Sequence, residues 1–240
     1  MKGMSFQNGV EYKITLEGET WSPGETLRGS IETKPASSAQ VMLTDGVDKK
    51  VKLKSADAFV VYEEIDLKKT PFSFEFKLPL NARVSDKLGS LYLLYGSGEH
   101  LEKYGQLRVS IIPHLLLRDF SDLLVREFRF ANPVFSQGKS KLTELKLSSP
   151  DLKQWSSLEQ LIIQLNLLPE TLEAHFQFHR KEIDPTKGAL TTRLAKREVS
   201  RKWPLKELIH DFNQRLNKDF LQSEFEKVVT EYRDAGWLNS

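Results

Sequence analysis

No cysteine occurs in the 240 residues. That excludes disulfides, thiolate metal ligands and a cysteine nucleophile, and it fits a reducing compartment. Charge of one sign is missing as well: 35 basic against 33 acidic side chains leave a formal charge of +2. Nothing in the overall field draws the chain to nucleic acid or membrane, so a charged partner has to be met by a local patch. No stretch approaches the ~20 apolar residues of a membrane span. The amino-terminal MKGMSFQNGVEY lacks an apolar core of signal-peptide length. The expectation is a cytoplasmic protein. Gly-x-Ser-x-Gly, His-Glu-x-x-His and a phosphate-binding Gly-rich loop are also absent. Asp119, Asp122 and Asp184 are isolated acids that sequence alone does not pair.

What is present is strand-forming pattern. In Pro71 to Tyr95, PFSFEFKLPLNARVSDKLGSLYLLY, Phe72, Phe74, Phe76 and Leu78 alternate with Ser73, Glu75 and Lys77. A strand there sets its large apolar side chains on one face, and that stripe is read as core. Pro79 ends it, a polar segment reverses the chain, and Leu91 to Tyr95 is apolar enough to lie inside a sheet. Two such strands are stable only against another sheet. Upstream, Val10, Tyr12, Ile14 and Leu16 alternate in a first strand, and Pro23-Gly24 has the chemistry of a type II turn. Thr26 to Thr33 resumes extended structure, with Gly29 where a bulge or close backbone approach is expected. Val41 to Leu43, Val51 to Leu53 and Phe59 to Ile65 add three apolar runs, with Asp45-Gly46 as a turn, and Gln106 to Ile112 alternates again. Short strands at regular spacing predict an all-β sandwich over residues 1–113.

The period then changes. Leu116, Phe120, Leu123, Leu124 and Phe128 recur every three or four residues, predicting a linker helix over 114–128. A second β-rich region, 129–203, is read from Lys141 to Leu147, Leu158 to Leu168, Leu172 to His179 and Gly188 to Val199. Turns are expected at Leu167 to Thr171 and Asp184 to Gly188. A smaller sandwich and a strongly curved sheet both fit this region. Over 204–240, Pro204 reads as a first helical residue, followed by the stripe Leu205, Leu208, Ile209, Phe212 and Leu216. Ser223 and Glu226 have capping-box spacing, with Phe225, Val228, Val229 and Tyr232 continuing the apolar face.

Four features carry candidate chemistry. His175, Gln177 and His179 share a strand face opposite Phe176 and Phe178, but His175 and His179 stand about 13 Å apart at ~3.3 Å per residue, so one metal needs a further strand. A solvated polar face is the plainer reading of them. Between Lys187 and Lys202, six basic residues (Lys187, Arg193, Lys196, Arg197, Arg201 and Lys202) face one acid, Glu198. Arg193, Arg197 and Arg201 fall on one strand face that suits a phosphate, an acidic peptide or an anionic lipid surface. A charged edge that guards against aggregation accounts for the same residues. Trp21 is either an exposed anchor for a partner or a cap on the end of the sandwich core. The tail helices either pack on the second lobe or mediate self-association, and a homodimer accommodates both.

The series WSPGETLRG (Trp21 to Gly29), PFSFEFKLP (Pro71 to Pro79) and GSLYLLYGSG (Gly89 to Gly98) resembles the amino-terminal domain of arrestin-like proteins. The following EFRF (Glu127 to Phe130), KLTELKL (Lys141 to Leu147) and LEAHFQFHRK (Leu172 to Lys181) resemble the bacterial sporulation-control family of that clan. The resemblance implies a mainly β, arrestin-like fold of two β-sandwich lobes joined by a short helix. It also implies a cytoplasmic regulatory or scaffolding role, other proteins as partners, no cofactor and no enzymatic activity. A peripheral anion- or membrane-binding module built on residues 187–202 is the alternative, and a hydrolase with an unrecognised site a third, because fold does not fix function.

Overall fold

Asn8 and Gly9 both take positive φ, 48° and 80°, the pair of values a two-residue hairpin turn requires. The chain therefore doubles back at once: β1 (Lys2–Gln7) pairs antiparallel with β2 (Val10–Leu16), Gln7 opposite Val10. Strand β1 is an addition to the strands expected from residue 10 onward, and Asn8-Gly9 is its local signal. The computed structural model describes residues 1–53, 55, 57–68, 71–98, 100–138, 140–183, 192–210 and 215–234. They fall into two units, Met1–His114 and Leu115–Ser240.

In the first unit, β2 continues into β3 (Thr20–Trp21) and β4 (Thr26–Lys34) through the expected turn, with Gly24 at φ 85° and the Glu25 amide bonded to the Ser22 carbonyl. Next come β5 (Ala39–Val47), α1 (Asp48–Lys52), β6 (Phe59–Leu67), β7 (Phe72–Lys77), β8 (Gly89–Gly96) and β9 (Gly105–Ile111). One sheet has the order β1-β2-β4-β7 and the other β3-β9-β8-β5-β6. The two halves of the Pro71 to Tyr95 stretch thus lie in different sheets, and the segment between them crosses the sandwich. Tyr12, Ile14, Leu27, Ile31, Phe74 and Phe76 from the first sheet meet Val41, Leu43, Leu91, Leu93, Tyr95 and Val109 from the second in one core. Burying each such side chain stabilises by about 1.5–3 kcal/mol. β8 is buried along its whole length, as its unbroken apolar run requires.

Three expectations need correction here. Phe72 begins the aromatic stripe yet is 46% exposed, because the strand starts beyond the edge of the core. Val51 lies in a helix, not a strand: α1 buries Val51 against Ala58 and Tyr92, and a run this short does not reveal its period. Asp45-Gly46 is strand within β5, paired with Val60 and Phe59. Gly29 is a close approach rather than a bulge, since a Cβ there would stand 2.6 Å from the Thr15 carbonyl oxygen while the register stays regular.

The second unit is a meander. β10 (Ala131–Gln137), β11 (Thr143–Ser148), β12 (Leu158–Leu167), β13 (Thr171–Ile183) and β14 (Thr192–Pro204) pair in sequence order, all antiparallel. Of the two forms open for this region, it takes the single sheet, and helices provide the second layer. α2 (Leu115–Phe128) spans the residues expected of a linker and packs as core of this unit, with Phe120 ring-to-ring at 6.4 Å from Phe176 and 6.1 Å from Trp203. α3 (Leu205–Leu208) is a single turn and α4 (Lys218–Asp234) lays Phe225 and Tyr232 on Phe176 and Phe178, at 5.7 and 4.2 Å. The predicted helix from Pro204 is corrected: β14 runs through Pro204, and an Ile209 to Leu216 bridge follows the short turn. Helix α4 starts earlier than the capping-box spacing suggested, capped by Asn217, whose side chain accepts the Phe220 amide. Phe212, the turn at 184–188 and the chain from 235 onward lie outside the described residues. Among the described residues, no helix is long and apolar enough to cross a membrane.

Candidate functional site

Side chains paired across an antiparallel ladder share a face, so register decides what β14 presents. Arg197 lies opposite Phe178, Arg201 opposite Ala174, and Val199 and Trp203 opposite Phe176 and Leu172. All four partners are buried. The arginines therefore share a face as expected, but it is the face covered by helices. Arg201 reaches Glu231 of α4 at 2.5 Å and donates to the Ser200 carbonyl at 2.9 Å. The Arg193 backbone pairs with Glu182; its side chain, like all of Lys187, lies outside the described residues. Lys196 and Lys202 point to the opposite, solvent side, where Lys196 pairs with Glu198 and Lys202 Nζ sits 2.9 Å from Glu173. Those lysines hold the Glu198 and Glu173 carboxyls below the usual range. Among the described side chains the apparent basic patch is thus split between two faces, with Lys196, Arg201 and Lys202 each matched by an acid.

The outer face of β13 and β14 also places His175 between Ser200 and Glu198: Nδ1 is 2.8 Å from the Ser200 hydroxyl and Nε2 3.5 Å from Glu198. A serine, histidine and acid in a row invite an acyl-transfer reading. Ser200, however, stands on extended strand rather than on a turn or helix N-terminus where backbone amides converge on an oxyanion, and Glu198 is already claimed by Lys196. The trio is a cross-strand polar ladder, continued by Asn166 to Glu173 at 3.0 Å and Gln164 to Glu144 at 3.2 Å. Among the described residues, no group of three or more His, Asp or Glu is placed to hold a metal ion.

Trp21 is 6% exposed and belongs to the first unit's core, so the anchor reading is withdrawn: its indole closes the end of the sandwich. A cleft of about 790 Å³ lies elsewhere in that unit, lined by Phe6, Val51, His100, Lys103 and Tyr104 among others. His100 is engaged by Glu102 at 3.2 Å, the one acid that lines the cleft among the described residues.

One buried ionic cluster was not legible in the sequence. Arg83 lies between Asp45, at 3.2 Å, and Asp86, at 3.5 Å, with all three side chains no more than 12% exposed. Asp86 also accepts the Leu88 and Gly89 amides at 2.7 and 2.9 Å. Partners 38 residues apart carry no local signal. The cluster pins the crossing segment between β7 and β8, helped by the Ser85 amide on the Ile111 carbonyl. Every member is committed to another, so it is architecture rather than a reactive centre.

The free backbone lies at the sheet edges. β10 is interrupted by Pro133, a positive φ at Asn132 and a register shift, and β14 bears both signs of charge, devices that blunt an edge. β3 is two residues long. β6, nine residues long, pairs with β5 alone among the described strands and exposes Val60, Val61 and Tyr62 at 53, 42 and 43%.

Two units of mainly antiparallel β structure, the first a two-sheet sandwich, define the arrestin-like class of fold. Among the solved structures it matches is the crystal structure of Spo0M, sporulation control protein, from Bacillus subtilis, with a TM-score of 0.61 and 14% identity over 93% of this chain and 98% of that one. No family model matches the chain, and a search of the curated proteins finds no match. At that identity the likeness is one of fold.

Proposed function

We propose that this chain is a non-catalytic, arrestin-like adaptor that binds other proteins in a bacterial regulatory process in the cytoplasm. The observation that carries the reading is a surface whose ionic groups around Arg83 and His175 are committed to one another while the outer edge of β6 is left open. Surfaces of that kind recognise proteins by strand addition rather than by turning over a substrate. Support also comes from fold likeness to a protein named for sporulation control. The anion-binding alternative loses ground because Lys196, Arg201 and Lys202 are already matched by Glu198, Glu231 and Glu173. Affinity capture of the tagged protein from its own cells, at low and at moderate salt, tests the reading. A small set of proteins retained at moderate salt is expected; recovery of salt-labile lipids or polyanions alone would overturn it.

A further inference from the structure

The adaptor reading leaves open where a partner sits, and β6 narrows it. Its outer rim is open along nine residues among the described strands. Phe59–Leu67 contains no lysine, arginine or proline, the residues by which natural edges discourage pairing. A bulge at Tyr62, between the Val61 and Glu63 partners of β5, re-aims one residue but leaves Glu63 to Leu67 in regular register with Leu43 to Ala39. Val60, Val61 and Tyr62 form three consecutive exposed apolar residues, and burial together with Asp45 pushes the Tyr62 phenol up.

The charge on this edge is of one sign. Glu63, Glu64 and Asp66 are exposed, and among the described residues none of them has an ion-pair partner. That excess selects the occupant. Antiparallel pairing with a second copy in full overlap would centre on Glu63, setting it against its own equivalent, with Val60 opposite Asp66. Like charges directly opposite are destabilising. A strand carrying lysine or arginine at those positions neutralises them and offers apolar residues to Val60 and Val61.

We propose that the open edge of β6, from Val60 to Asp66, receives an extended segment of a partner protein in which apolar residues are interleaved with lysine or arginine. This rests on the adaptor reading. The segment adds a sixth strand to the β3-β9-β8-β5-β6 sheet, with main-chain hydrogen bonds giving affinity and the acidic row giving selectivity.

The test uses the full chain and two labelled synthetic peptides with the same apolar positions, one alternating Val with Lys and the other Val with Glu. Fluorescence anisotropy at moderate salt should show binding of the lysine peptide, with hydrogen-exchange protection of the Val60 to Asp66 amides. The triple change Glu63→Lys, Glu64→Lys, Asp66→Lys, which lies on exposed positions and keeps the fold, should weaken that peptide at least roughly tenfold and favour the glutamate peptide. Protection elsewhere, no protection, or equal binding by wild type and triple variant would overturn the proposal. So would a peptide-free dimer protected at β6, which would make the occupant a second copy. If captured partners survive the triple change at full yield, this edge is wrong while the adaptor reading stands; if no protein is captured at all, the adaptor reading itself fails.

Discussion

Replacing Arg83 by methionine tests the physical account of the first unit at its most exacting point. The guanidinium stands 3.2 Å from Asp45 and 3.5 Å from Asp86, with side chains 8, 12 and 9% exposed. At an effective dielectric of ~20, each attraction is worth about 5 kcal/mol before the cost of desolvation is set against it. Removing the cation therefore leaves two carboxylates buried near one another, and breaking such a pair costs about 3–5 kcal/mol. Methionine preserves most of the volume over Gly89, where a Cβ would meet the guanidinium carbon at 2.6 Å, so the loss reports charge rather than a cavity. With a urea slope of ~2 kcal/mol/M, the midpoint followed by amide exchange in β5 and β8 falls by roughly 2 M. The triple variant Arg83→Met, Asp45→Asn, Asp86→Asn removes the stranded charges and recovers part of the loss. A fall under about 1 kcal/mol for Arg83→Met, or a triple variant no better than the single, would refute the reasoning.

Three further outcomes are expected. Phe176→Ala, which removes a fully buried ring in contact with Phe120, Trp203 and Phe225, destabilises the second unit by about 3–5 kcal/mol in denaturant titrations. Glu224 is held below the usual 4.5 mainly by Lys227, with a further hydrogen bond from the Trp203 indole at 2.9 Å. Its folded-state value is lowered, so its stabilisation is complete above the unfolded value and is lost as pH falls below about 4.5 through the folded one. Thermal melts of Glu224→Gln should accordingly show a shallower acid limb than wild type. Co-sedimentation with anionic vesicles at moderate salt should be weak for wild type and little changed by Lys196→Ala with Lys202→Ala, because both lysines are already paired with acids. Strong binding abolished by that change would favour the membrane reading instead.

Strands such as β2, β7 and β8 were legible because each is half-buried and alternates, as β7 does with Phe74 and Phe76, or is fully buried and unbroken, as β8 is. Helix α2 was legible from end to end for a similar reason: one apolar stripe faces one core. What escaped was set by distant partners. Nothing near Arg197 or Arg201 announces that their strand face lies under α4, since Glu231 is 30 residues from Arg201, and face assignment needs the register with β13. The stripe from Leu205 to Leu216 has helical spacing, yet β14 carries the ladder through Pro204 and a bridge joins Ile209 to Leu216. Pairing overrode local period there. Trp21 was ambiguous because the sequence shows an aromatic beside a turn but not the core that the turn closes.

The adaptor account is tested most directly by purifying the strongest salt-stable partner from affinity capture and mixing it with this chain. Light scattering on the eluted complex, with mass spectrometry of both components before and after incubation, gives stoichiometry and chemical change together. The account predicts a discrete complex that persists at moderate salt and leaves both chains covalently unchanged. No complex from the purified components, or a partner that emerges cleaved or modified, would contradict it.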